Sequence, residues 1–74
     1  MGEMNIQTAQ VTMTFMDALQ AVIDGKRVTK LEWHDDNAYC ELRNGHLQLH
    51  KSDGRWYDWI INDGDLAGTD WIVY

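Results

Sequence analysis

Between residues 15 and 23 the apolar positions recur at helical spacing. Phe15, Ala18, Leu19, Val22 and Ile23 fall at i, i+3, i+4, i+7 and i+8, with Asp17, Gln20 and Asp24 on the other side. Thr14 is placed as an N-cap, Asp17 follows three residues on as a carboxylate variant of the capping box, and Gly25 suits the left-handed position that ends a helix. From Arg27 onward the period falls towards two and β-branched or aromatic residues replace helix formers, which predicts strands over 27–31, 38–43, 46–50, 55–61 and 70–74. Asn44-Gly45 suits a two-residue type I′ hairpin turn, and Ser52-Asp53-Gly54 marks a second turn. In that hairpin Leu47 and Leu49 face the helix, and His46, Gln48 and His50 face away. Asn62-Asp63-Gly64-Asp65 breaks the third long strand, and 66–69 reads as a tight turn or a single helical turn. The predicted architecture is α+β, one N-terminal helix packed on an antiparallel sheet of about four to five strands. Residues 1–12 show no sustained period and are expected to be weakly ordered, leaving 13–74 as one domain.

Composition sharpens this picture. In a chain of 74 residues, hydrophobic burial and lost chain entropy nearly cancel, so a further source of stability is expected. The single cysteine, Cys40, has no partner for an internal disulfide, and with three scattered histidines it offers no zinc-type spacing. Association between copies is the supplement left. A hydrophobic content of 45% argues for a folded chain, and a net charge of −6 argues against coating polymeric nucleic acid or an anionic membrane. No apolar run approaches the ~18 residues of a membrane span, and residues 1–10 lack the basic start and apolar core of a signal peptide. A reducing, cytoplasmic setting is the expectation.

Enzyme motifs are sparse. Asp35-Asp36 and Asp63 with Asp65 could form an acid/base pair or a magnesium site, but acidic residues beside glycine ordinarily make turns and caps. Neither a nucleophile elbow, a zinc-protease motif, a P-loop nor a dinucleotide fingerprint occurs, so no cofactor and no metal are expected. Cys40 reads as a small buried apolar group, and His34, in a loop beside Trp33, could reach a ligand. The four tryptophans carry more information, because each brings a large flat face and an N–H that needs a partner. Trp56 and Trp59, three apart in a strand, point to opposite faces. Trp33 and Trp71 adjoin polar, turn-prone segments, where a ring can wall a planar ligand. Aromatic walls edged by Asp, Asn and Thr suit a nucleobase, and the same residues suit a protein interface.

The order of residues adds a resemblance. Thr14-Phe15-Met16-Asp17-Ala18-Leu19, then Gly25-Lys26-Arg27-Val28-Thr29-Lys30 with Trp33, then Trp59, then Asp65-Leu66-Ala67-Gly68-Thr69-Asp70-Trp71-Ile72-Val73 resembles the Thoeris anti-defence type 2 family of small phage and prophage proteins. Lys30 stands where the family usually has Arg, Glu32 where Gly is common, and Gly68 departs from the spacing of the closing motif. The resemblance implies a sponge and not an enzyme: a homotetramer with pockets between subunits that binds a cyclic ADP-ribose immune signal without cleaving it, some members also holding cyclic dinucleotides. Applied to this chain, it implies that Trp33 and Trp59 enclose adenine or ribose, Asn62 and Asp65 hydrogen-bond hydroxyls or a base edge, and Arg27 or Lys30 meets phosphate. The bland roles for these residues are a solvated strand end for Arg27, capping for Asp65 and Asp70, and core or interface for Trp71. Two other readings stay open: a Trp-rich acidic module that inhibits a host protein, and a metal-dependent hydrolase using Asp63 and Asp65.

Overall fold

The computed structural model describes residues 11–74. The expectation of weak order over residues 1–10 lies outside the described residues. Helix α1 spans Phe15–Ile23, and its Thr14 cap accepts the Asp17 N–H through Oγ1 at 3.4 Å. At the other end Gly25, with φ of 92°, lets its own N–H reach the Val22 carbonyl and that of Lys26 reach Ala21, the paired bonds of a Schellman motif. Five strands follow: β1 (Val28–Lys30), β2 (Tyr39–Arg43), β3 (His46–His50), β4 (Trp56–Asp58) and β5 (Trp71–Val73). A 3-10 turn, Leu31–Trp33, leaves β1, and a short helix α2, Asp63–Ala67, precedes β5.

The sheet order is β4-β3-β2-β1-β5, and every pairing is antiparallel. Asn44 and Gly45 take φ of 53° and 81°, the two positive values a type I′ turn requires, and this sets the register Leu42 opposite Leu47. Because strand side chains alternate, Cys40, Leu49 and Tyr57 form one row across β2, β3 and β4, and Tyr39, His50 and Trp56 form the row on the opposite face.

The inner face packs against α1. Phe15, Ala18, Val22, Val28, Cys40, Trp59 and Trp71 form the core, with Leu47 and Leu49 packed against it as their alternation predicts. Phe15, Trp59 and Trp71 meet pairwise with ring centroids 5.7–5.8 Å apart, tilted or edge-on, the arrangement aromatic quadrupoles favour.

Two expectations are corrected. The strand predicted over 55–61 stops at Asp58: after the Trp59 N–H bonds the Leu47 carbonyl, no further strand pairing is made, and Trp59 is buried in the core. The helical turn predicted over 66–69 begins at Asp63, because Asn62 supplies its cap. His50 faces away from the helix, as its alternation predicts; it stacks on Tyr39 (4.6 Å, 11°), meets Trp56 edge-on and donates from Nδ1 to the Asn37 carbonyl at 2.6 Å.

Candidate functional site

The chain breaks pairing at Asp58 and returns as α2, and this creates a recess at one end of the inner face. Its floor is Leu49 and Tyr57 from adjacent strands, one wall is Trp59 with Asn62 and Asp65, and the other is Trp33 with Asp35 and Ala38. Lys51 and Ser52, from the β3–β4 turn, and Asp58 and Ile60 complete the lining of a cavity of about 590 Å³. Four of the expected site residues, Trp33, Trp59, Asn62 and Asp65, are thus brought together by the fold.

The wall is held by a capping box. Asn62 Oδ1 accepts the Asp65 N–H at 2.8 Å, and Asp65 Oδ2 accepts the Asn62 N–H at 3.3 Å. The same Oδ2 accepts the indole N–H of Trp59 at 3.3 Å, while the Asp65 carbonyl accepts that of Trp71 at 3.2 Å. One buried aspartate therefore satisfies two buried indoles and starts a helix. Trp33, half-buried, is braced edge-on against Trp71 with centroids 5.5 Å apart. Asp65 and Asp70 both act as caps, as expected: Asp70 Oδ2 accepts the Glu32 N–H in the first turn of the 3-10 segment at 2.8 Å.

The other three expected residues go elsewhere. Lys30 is buried, its ammonium 2.8 Å from Glu32 and 3.5 Å from both Asp70 and the Gly64 carbonyl. The hydrogen bond to Glu32 raises its pKa, burial opposes this, and the charges of Asp70 and Glu32 add to the rise. Lys30 and His34 line a second recess of about 330 Å³, beside Asp35, Asp36, Ile72 and Tyr74. Arg27 lines neither cavity; it pairs with Glu41 at 3.3 Å and lies 4.3 Å from the Tyr39 ring centre, on the opposite face of the sheet.

Lys51, Tyr57 and Asp35 were absent from the expected site. Tyr57 carried a usable signal, because outward Trp56 and Asp58 leave it beside Leu49 on the inner face. Lys51 and Asp35 sit in irregular segments whose path no periodicity encodes. Cys40 is fully buried, and burial, reinforced by the charge of Asp65, pushes its thiol far above the usual range, which suits packing and not nucleophilic chemistry. Among the described residues no group of three or more His, Cys, Asp or Glu side chains is placed to hold a metal ion. Nor is any helix there long and apolar enough to cross a membrane.

No curated protein matches the chain. Residues 13–74, all but the first twelve, match the family model of the Thoeris anti-defense 2-like domain. The core-forming Phe15, Ala18, Val28, Trp59 and Trp71 and the capping Asp65 all lie within that span. The chain therefore belongs to the Thoeris anti-defense 2-like family, and the role that goes with membership is anti-defence.

Proposed function

We propose that this chain exerts its anti-defence role by sequestration: it binds a cyclic ADP-ribose-type immune signal and holds it chemically intact, so that the defence effector is never activated. The observation that carries this reading is the cavity itself. At about 590 Å³ it lies within the ~300–1,000 Å³ range of small-ligand sites, and it combines two indoles and a phenol with amide, carboxylate, hydroxyl and ammonium groups. Aromatic faces stabilise a stacked base by about 1–3 kcal/mol each. Nanomolar retention needs about 12 kcal/mol, so stacking is a substantial part and hydrogen bonds from a prearranged wall must add to it.

Association completes the reading. Ile60 lines the cavity and is 78% exposed, and Leu66 on α2 is 59% exposed. A neighbouring copy covering these side chains would roof the recess and remove apolar surface from water, which is how a homotetramer would place its pockets between subunits. The setting this requires is a host cytoplasm where the signal is made, with the protein encoded by a phage or prophage.

The test is to incubate the full chain with cyclic ADP-ribose isomers and cyclic dinucleotides, record native mass spectra, then denature by heat and analyse what is released. Ligand of unchanged mass on a tetramer supports sequestration. A cleaved product would replace it with an enzyme, and a monomer whose melting temperature no nucleotide moves would favour an inhibitor of a host protein.

A further inference from the structure

We propose that Lys51, with the adjacent Ser52 hydroxyl, forms the anion-binding end of the cavity and receives the diphosphate of the ligand; this rests on the sequestration reading above. A ligand of the cyclic ADP-ribose class carries a diphosphate, and drawing that group out of water requires a cation or a set of donors to replace its hydration. The two cations that sequence order points to, Arg27 and Lys30, are committed elsewhere. Arg27 faces away from the cavity, paired with Glu41. The three donors of the Lys30 ammonium face Glu32, Asp70 and the Gly64 carbonyl, and the group is almost fully buried.

Lys51 is the cation on the cavity lining. Among the described residues it has no ion-pair partner, and its ammonium lies 4.6 Å from the centre of the Tyr57 ring, which lines the same cavity. The turn that carries it is braced: the Lys51 N–H bonds the Arg55 carbonyl at 3.0 Å, the Gly54 N–H bonds the Lys51 carbonyl at 2.9 Å, and Asp53 accepts both the Arg55 N–H and the Tyr57 hydroxyl. These bonds fix the Lys51 backbone, and the ammonium, on its flexible exposed stem, rests against the Tyr57 ring.

The lining is polarised. Asp35 and Asp65 put carboxylates around the cavity, each already accepting a hydrogen bond from within the protein, from the Asn37 N–H and the Trp59 indole respectively. They accept hydroxyl or exocyclic amine donors, which sends the nucleoside towards Trp33 and Trp59 and leaves the Lys51 ammonium, whose charge also acts on Asp53, as the cation that faces a diphosphate.

Calorimetric titration of the full chain, its Lys51→Ala and Lys51→Arg variants and an Arg43→Ala control, with cyclic ADP-ribose and with uncharged adenosine, tests this. Lys51→Ala is expected to weaken cyclic ADP-ribose about ten- to hundredfold, as for loss of a charge-assisted hydrogen bond, and to reduce the salt dependence of binding. Lys51→Arg should restore most of the loss, while adenosine binding and the Arg43→Ala control stay at the wild-type level. Undiminished cyclic ADP-ribose binding by Lys51→Ala overturns the assignment alone. Equal loss of adenosine also overturns it, since that would make Lys51 a brace for the wall. A wild-type chain that binds no cyclic ADP-ribose isomer refutes the sequestration reading and this refinement together.

Discussion

Replacing Asp65 by alanine tests whether one buried carboxylate joins the core to the cavity wall. The Asp65 side chain is the hydrogen-bond acceptor for the Trp59 indole and the acidic half of the α2 capping box. Its removal leaves an N–H unsatisfied on a tryptophan only 6% exposed, at about 1–3 kcal/mol, and weakens the cap by about 0.5–1 kcal/mol more. An opposing effect must be weighed, because among the described residues no cation pairs with this carboxylate, and deleting a buried charge relieves its desolvation. Two accepted hydrogen bonds outweigh that relief only if the carboxylate is well solvated by them, so the sign of the result is informative. We expect a net loss of about 2 kcal/mol, which for a domain of this size lowers Tm by about 8–16 °C. Thermal unfolding followed by tryptophan fluorescence gives the shift, and Asp65→Asn, which keeps an acceptor oxygen, should lose roughly half as much. An alanine variant that melts within about 3 °C of the parent, or above it, refutes the reasoning.

Gly68→Ala places a Cβ 2.9 Å from the end of the Lys30 side chain and 3.1 Å from Trp71 Nε1; urea unfolding should show a loss of about 1–3 kcal/mol, because the buried ammonium has no room to retreat. The Asp53 carboxyl is held low by the Tyr57 hydroxyl and the Arg55 N–H. Burial acts to raise that of Asp70, but the Glu32 N–H, its own amide and Lys30 outweigh it and leave it low. Both therefore add stability that is complete above the unfolded-state pKa of about 3.9 and is lost as pH falls through their lower folded values. The urea midpoint should drop below about pH 4, and Asp70→Asn should flatten that acid limb. Lys30 has the opposite sign, its raised pKa contributing stability below about pH 10.4 that disappears only as strong alkali is reached. Cys40 should resist a thiol reagent in the native protein at pH 8 and react at the rate of unfolding once urea is added; rapid native labelling would contradict its burial.

What could be read from the chain alone divides along physical lines. Helix α1 and the β2–β3 hairpin are encoded locally, by a 3.6-residue stripe between Thr14 and Gly25 and by alternation around Asn44-Gly45, and both stand where the pattern puts them. The early end of β4 was not legible, because period two continues through Trp59 and Ile61, and only the three-dimensional demand for an indole in the core ends the pairing. Trp33, Trp59, Asn62 and Asp65, which residue type and order single out, line one cavity together. Arg27 and Lys30, which residue order also singles out, lie off that lining, and nothing local reveals that Glu41 pairs with one and that Glu32 and Asp70 enclose the other.

The cavity lining is split between two kinds of residue, and on the sequestration proposed above this would bear on how such a protein keeps pace with a changing signal. Trp59 and Asp65 belong at once to the core and to the wall, so altering them to suit a new signal molecule costs the fold itself. Asp35, Lys51, Ser52 and Ile60 reach the same space from loops and a turn outside the core cluster, where substitutions cost little stability. If the cavity holds the signal as proposed, adaptation to a modified signal would be channelled into those four positions, and variation among natural relatives should concentrate there while the indole and carboxylate stay constant. Few residues are available in a domain this small, and the division lets it retune recognition without rebuilding the scaffold that presents it.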